Sequence, residues 1–95
     1  MTDCELCNIG MQFNRDYIRV LFENDGLMAI ERDYDECFIV FPKRHAMALD
    51  KTMWDELTQA AVLVAGFLGW REGECLYAIV LDTHSHVKVR RNRIP

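Results

Sequence analysis

The sequence predicts an α+β domain in which an antiparallel sheet of about five strands packs against one long helix. Its 95 residues are the length of a single small domain, so residues 1–95 are expected to share one core. Short apolar or β-branched runs alternate with turn residues, and one longer stretch has apolar residues at three-and-four spacing. A chain that is 51% hydrophobic and 27% charged belongs to the globular class and not to the disordered one.

The first three strands follow from local sequence. Residues 17–23 are β-branched and aromatic, and the Asn-Asp-Gly at 24–26 tolerates the positive φ of a hairpin turn. Residues 27–31 are the predicted return strand. Residues 37–41 form a continuous apolar run that ends at Pro42, which lacks an amide donor and belongs at a strand end. That third strand is expected to be central.

The long helix is expected to begin at Asp50 or Thr52, either of which can cap it, and to end at about Leu68 or Gly69. Asp55 and Glu56 then lie in its first turn, where the helix dipole favours acids. Apolar residues surround almost the whole helix, so one face packs on the sheet and the opposite face needs another cover. This pattern predicts a subunit interface on the opposite face.

Two more strands are predicted after the helix. Residues 76–81 are apolar and indicate a buried strand, whereas residues 82–90 alternate as a strand with one polar face. Because positions two apart face the same way, one polar row is expected. Its members are Asp82, His84, His86 and Lys88.

The cysteines point to a reducing compartment. No basic and apolar leader of signal-peptide type precedes Cys4, and the apolar run at 60–68 is about half the length that a bilayer span needs. A cytoplasmic protein without a membrane partner is expected. The Cys4-x-x-Cys7 pair is then a metal-ligand pair, a redox pair or without a role.

A zinc site is the favoured interpretation. Cys4, Cys7 and His45, with one of His84 or His86, have the composition of a closed tetrahedral zinc site. The redox alternative is weaker, because no strand precedes the pair as thioredoxin-like motifs require.

Charge is distributed unevenly within the net value of -4. Residues 84–95 hold four basic residues and no acid, whereas all fifteen acids lie in residues 1–83. The field near His84 and His86 therefore favours an anionic ligand such as a phosphate. Four cations are too few to indicate nucleic-acid binding.

Four segments in this order resemble the histidine triad (HIT) superfamily nearly from end to end. They are Cys4-Glu-Leu-Cys7, Phe22-Glu-Asn-Asp25 before the second strand, Pro42-Lys-Arg-His45 after the third, and His84-Ser-His86-Val-Lys88. The superfamily includes nucleotide hydrolases and nucleotidyl transferases, among them the galactose-1-phosphate uridylyltransferase group. The resemblance implies a HIT-like fold, a nucleotide or nucleoside phosphate as ligand, and a homodimer.

The resemblance also implies roles for individual residues. The nucleophile would be His86, which attacks an α-phosphorus to give a nucleotidyl-histidine. Lys88 would contact the phosphate. The Pro-Arg that follows the family signature is absent, and Arg90 stands near its place. Asp33 is one of three acids placed to bind a ribose, with Glu31 and Asp35. Zinc would be held by Cys4, Cys7, His45 and His84.

The signature departs from the family pattern in ways that leave alternatives open. Lys88 stands where the family has His or Gln, so it can neutralise charge but cannot relay a proton at neutral pH. The Asn that usually precedes the signature strands is missing from residues 69–75. A second register, with Asp82, His84 and His86 as the three positions, would make His84 the nucleophile. A catalytically inactive nucleotide-binding or structural module with a structural zinc is the alternative to an enzyme.

Overall fold

The computed structural model describes residues 4–11, 15–16, 18–32 and 36–92. A five-stranded antiparallel sheet has the strand order β1-β2-β3-β5-β4, and this confirms the predicted α+β architecture. A 3-10 turn at Glu72–Glu74 precedes β4. The elements are α1 (Glu5–Gly10), β1 (Val20–Glu23), β2 (Leu27–Glu31), β3 (Cys37–Pro42), α2 (Lys51–Phe67), β4 (Cys75–Val80) and β5 (His86–Arg91).

Strand β3 is central, as its sequence predicts. It pairs with β2 on one side and β5 on the other, and all six of its residues are buried. Alternate residues of β3 therefore supply the cores on the two faces of the sheet. Pro42 ends the strand.

Helix α2 covers the first face. Its N-cap is Asp50, whose carboxylate accepts a hydrogen bond of 2.9 Å from the amide of Met53. The helix ends at Phe67, and Gly69 follows with a φ of 76°, which a residue with a Cβ adopts at a cost. The core beneath it includes Leu27, Ala29, Phe38, Val40, Leu57, Ala61, Val64, Val87 and Val89.

Helix α1 covers part of the second face and is an element that the sequence did not indicate. Its six residues are too few for propensity to predict a helix. Leu6 and Ile9 instead hold it in place by packing on the second-face side chains of β2 and β3, which are Met28, Ile30, Ile39 and Phe41. Six residues cannot extend over β4 and β5 as well, so that half of the second face stays accessible.

Two predicted strand starts need correction. Strand β1 begins at Val20 and not at residue 17, which lies outside the described residues. The fifth strand begins at His86 and not at Asp82, because residues 82–85 form a turn in which the Asp82 carboxylate accepts a 2.7 Å hydrogen bond from the Thr83 amide. His84 therefore leaves the predicted polar row and is buried.

The strand predicted at 76–81 is present but is not buried. Because β5 is inserted next to β3, β4 becomes an edge strand. Leu76, Ile79 and Leu81 are 55%, 62% and 73% exposed.

None of the helices in the described ranges is long and apolar enough to cross a membrane.

Candidate metal centre and adjoining cleft

Four side chains from three parts of the chain meet at one end of the sheet. Cys4 caps α1 and Cys7 lies in its first turn, so that the three-residue spacing places both thiols on one side of the helix. His45 follows β3, and His84 lies in the turn before β5. Their ligand atoms all lie within 4.8 Å of one another.

The distances fit a metal ion. Sγ of Cys7 lies 3.2 Å from Nδ1 of His45 and 3.4 Å from Nδ1 of His84, and Sγ of Cys4 lies 3.4 Å from the same His84 nitrogen. Bonds of about 2.0–2.3 Å in a tetrahedron separate the ligand atoms by roughly 3.3–3.8 Å. The four side chains are therefore arranged to hold a metal ion.

His84 is oriented by a backbone contact. Its Nε2 lies 2.6 Å from the carbonyl oxygen of Pro42, so Nε2 carries the proton and donates it, and the Nδ1 lone pair faces the thiols. Burial lowers the pKa of His84 and so favours the neutral imidazole that a metal requires.

Cys7 holds its proton tightly when only the protein surrounds it. Burial, and after it the neighbouring Cys4, together raise the pKa of its thiol to about 11. A thiolate at this position needs a positive charge beside it, and a metal ion supplies one. Metal binding at Cys7 therefore releases a proton.

Ser85 joins the two histidine-bearing segments. Its amide donates to the carbonyl oxygen of Ala46 at 2.9 Å, and its hydroxyl donates to the carbonyl oxygen of Met47. Ala46 follows His45, and Ser85 follows His84. The fully buried Ser85 thus fixes the separation of two metal ligands.

A cleft of about 450 Å³ adjoins this centre over the open half of the second face. Residues 4–6 at the start of α1 form one wall, Ile39 and Val80 contribute apolar floor, and residues 82–84 form the rim. The polar side chains that also line it are Arg32, His86 and Lys88.

His86 is bonded in a way that distinguishes its two ring nitrogens. Nδ1 lies 3.0 Å from the carbonyl oxygen of His84, so Nδ1 carries the proton and donates it. Nε2 is then the nitrogen with the lone pair. Lys88 follows two residues later on the same face of β5, opposite Ile39.

The structure brings only some of the predicted contact residues together. His86 and Lys88 line the cleft, and the exposed Arg90 continues the same face of β5 beyond the residues that line it. Asp33 and Asp35 lie outside the described residues. Glu31 instead pairs with Arg19 at 3.0 Å.

The sequence did not indicate Arg32 or Glu5 as residues of the cleft. Arg32 lines the cleft, and its guanidinium contacts the Glu5 carboxylate through Nη1 and Oε1 at 2.6 Å and through Nη2 and Oε2 at 3.3 Å. Alternation beyond Ile30 could have placed Arg32 on this face, because positions two apart share a side. No comparable signal existed for Glu5, whose position depends on α1.

Two solved structures are similar to this chain. A histidine triad protein from Clostridium difficile has a TM-score of 0.69 at 16% sequence identity, over 100% of this chain and 95% of that one. A hypothetical protein from Leishmania major has a TM-score of 0.70 at 14% identity, over 97% of this chain and 74% of that one. No protein-family model and no curated protein matches the sequence. With the strand order and the metal-ligand cluster, these similarities show that the chain has a histidine-triad-like fold.

Proposed function

We propose that this chain is a zinc-containing nucleotide phosphohydrolase or nucleotidyl transferase whose nucleophile is His86. The observation that carries the proposal is the 3.0 Å contact between Nδ1 of His86 and the His84 carbonyl oxygen, inside a cleft that Lys88 also lines. A proton on Nδ1 leaves the lone pair on Nε2, and a neutral imidazole is nucleophilic near pH 7.

Zinc is the metal that this ligand set favours. Two thiolates and two imidazoles are the donors of closed zinc sites, whereas magnesium and calcium prefer oxygen. Four protein ligands leave no position for a substrate, so the bound ion would act structurally. It would join Cys4 at the start of α1 to the turn that precedes His86.

The geometry favours His86 over His84 as the nucleophile. Both ring nitrogens of His84 already have partners, because Nδ1 faces the two thiols and Nε2 donates to Pro42. His84 therefore has no nitrogen left to attack a phosphorus. This argues against the register in which Asp82, His84 and His86 are the three signature positions.

The proposed reaction has two steps. In the first, the Nε2 lone pair of His86 attacks the α-phosphorus, and the bond from phosphorus to the leaving oxygen breaks as the phosphorus–nitrogen bond forms. In the second, water or a phosphate attacks phosphorus and the electron pair returns to Nε2; attack by water releases one proton to solvent. Lys88 neutralises charge on the phosphoryl oxygens.

Lys88 also bears on the leaving group. An ammonium group has donors and no lone pair, so it cannot shuttle a proton in the manner of an imidazole. A leaving group that departs as a stable anion needs no such proton. A phosphoanhydride is therefore a better substrate for this site than a phosphoramidate.

The same Lys88 favours a second candidate function, a nucleotide-binding module without turnover. In that case the cleft would bind the same ligands, and the zinc would serve only to hold its wall.

Turnover of nucleoside diphosphates and dinucleoside polyphosphates, combined with mass spectrometry of the protein, distinguishes the two. The proposal predicts a nucleotidyl adduct on the wild-type protein, absent from His86→Ala, and a loss of turnover of at least about 1,000-fold in that variant. Arg44→Ala, an exposed substitution near the metal centre, is the control and should be unchanged. Full turnover by His86→Ala would contradict the assignment, whereas binding without turnover by the wild type would support the inactive module.

We also propose that the protein is a homodimer. The edge strand β4 exposes Leu76 and Ile79, Leu81 directly after it is also exposed, and α2 exposes Phe67, which is 81% accessible. Apolar side chains on an edge strand with unpaired backbone groups favour pairing with another chain. Light scattering after size exclusion tests this: two chains per particle are expected, and a monomer at micromolar concentration would contradict it.

A further inference from the structure

Arg32 occupies one end of the cleft because of the sheet register. Its amide donates to the carbonyl oxygen of Cys37 at 2.8 Å, which extends the β2–β3 ladder by one residue. Cys37 in turn pairs with Arg90 on β5. Alternation places the Arg32 side chain on the face of Ile30, which is the face that α1 and the cleft share.

His86 lies at the opposite end. Val40 pairs with Val87, so Phe41 is the β3 residue nearest His86, four residues from Cys37. At roughly 3.3 Å per residue and 4.8 Å between strands, the backbones of Arg32 and His86 are about 16 Å apart. Lys88 lies between them, beside Ile39. One phosphate at His86 would therefore meet the Arg32 guanidinium only if both side chains extended fully towards each other.

In this structure the Glu5 carboxylate binds the Arg32 guanidinium. The two-point contact between Arg32 and Glu5 is the fork geometry with which arginine also binds phosphate. Both side chains are substantially exposed, at 39% and 58%, and exposed ion pairs are weak. A phosphate or carboxylate of a ligand can therefore replace the Glu5 carboxylate.

We propose that Arg32 binds a second anionic group of the ligand, remote from the phosphate at His86, and that Glu5 holds this site until the ligand arrives. The proposal rests on the proposed function and names its ligand class: a nucleoside phosphate with two separated anionic groups. The second group is either a further phosphate in the chain or a phosphate on the sugar.

Calorimetric binding to the metal-loaded protein tests the proposal with four probes. They are adenosine monophosphate, the methylene analogue of adenosine diphosphate, adenosine 3′,5′-bisphosphate and inorganic tripolyphosphate. Arg32→Gln should weaken tripolyphosphate and at least one two-anion nucleotide by about tenfold, and should leave the monophosphate within about twofold. Glu5→Gln should strengthen the same probes several-fold, because it removes the competing carboxylate.

The matched controls use a neighbouring ion pair. Arg19 and Glu31 form an exposed contact of 3.0 Å, and Glu31 lies on the other face of the sheet, beside Trp70. Arg19→Gln and Glu31→Gln remove the same charges without touching the cleft and should leave every affinity unchanged. Metal content and melting temperature are measured for all four variants, and Arg32→Lys should bind with intermediate affinity if Arg32→Gln proves unstable.

The outcomes separate this proposal from the proposed function. The two-anion nucleotide whose affinity depends on Arg32 identifies the source of the second anion. Dependence of the diphosphate analogue indicates a chain phosphate, and dependence of the 3′,5′-bisphosphate indicates a sugar phosphate. Tripolyphosphate binding that depends on Arg32, without any nucleotide binding, would support the anion site and contradict the nucleotide function. Nucleotide turnover with affinities independent of Arg32, or equal losses for all four probes, would overturn the anion site alone.

Discussion

The two faces of the sheet are built by different means from the same strands. Under α2, alternate residues of β3 and β5 such as Phe38 and Val87 enter a closed apolar core. On the other face, the intervening residues include Ile39, His86 and Lys88, and they line a cleft beside a metal-ligand cluster. The first face is stabilised by burial under a long helix, whereas the second combines a smaller buried cluster under a six-residue helix with the metal-ligand cluster. In this small domain, one face is therefore closed by apolar packing, and the other leaves a cleft beside its candidate metal centre.

The largest expected effect is a loss of metal affinity on the second face of the sheet. Substitution of a residue that only supports a metal ligand lowers metal affinity by about 10- to 100-fold. Cys7→Ser removes a buried ligand itself, so it should reduce metal affinity by more than about 100-fold. A chelator should lower the melting temperature of the wild-type protein and have little effect on the variant, because metal binding contributes folding free energy only where the ligands are present. Equal responses of both proteins to the chelator would contradict the role of Cys7.

The α2 face should respond in the opposite way. Leu57 is fully buried in the core under α2. Leu57→Ala should lower the free energy of unfolding by about 2–5 kcal/mol through lost burial and a cavity. Denaturant unfolding measures this change, and the metal content of the folded variant should stay the same. Loss of metal from folded Leu57→Ala would show that the two faces are not independent.

Ser85 is expected to affect metal affinity through the position of the ligands on the second face of the sheet. Ser85→Ala removes the hydroxyl bond to Met47, so the segments that carry His45 and His84 should separate slightly and metal affinity should fall about tenfold. Thr58→Ala is a matched control, because its hydroxyl also donates to a carbonyl, that of Trp54, at an exposed position of α2. Competition with a chromophoric chelator measures both affinities, and equal values would refute the positioning role.

The smallest expected effect is a pH dependence confined to the metal-free protein. The pKa of Cys7 is raised from 9.0 to about 11, so the folded state holds this proton more tightly than the unfolded chain. The resulting stability is fully present below about pH 9 and is lost as pH rises towards 11. With metal bound the thiol carries no proton, so this loss should disappear. Melting curves of both forms from pH 7 to 10 measure it, and parallel curves would contradict the account.

The sequence predicts the α2 face well and the other face only in part. Three-and-four spacing locates α2, a cap at Asp50 or Thr52 places its start within two residues, and the run before Pro42 identifies β3 as central. These are local signals that the structure confirms. The exposure of β4 could not be read locally, because it depends on the insertion of β5 beside β3.

The candidate site shows the same division. Ligand chemistry and the family resemblance together named Cys4, Cys7, His45 and His84, and the structure places their ligand atoms in one cluster. The sequence did not indicate Arg32 and Glu5, because their contact joins α1 to the end of β2 and depends on how α1 packs. Helix α1 forms through packing on the sheet, and no periodicity in six residues reveals that.

We infer that a metal ion at Cys4, Cys7, His45 and His84 builds one wall of the cleft. Elemental analysis of the dialysed protein by plasma mass spectrometry tests it most directly, with Cys7→Ser measured in parallel. About one zinc ion per chain is expected in the wild-type protein and almost none in the variant. A wild-type protein that folds, binds its ligands and contains no metal would contradict it.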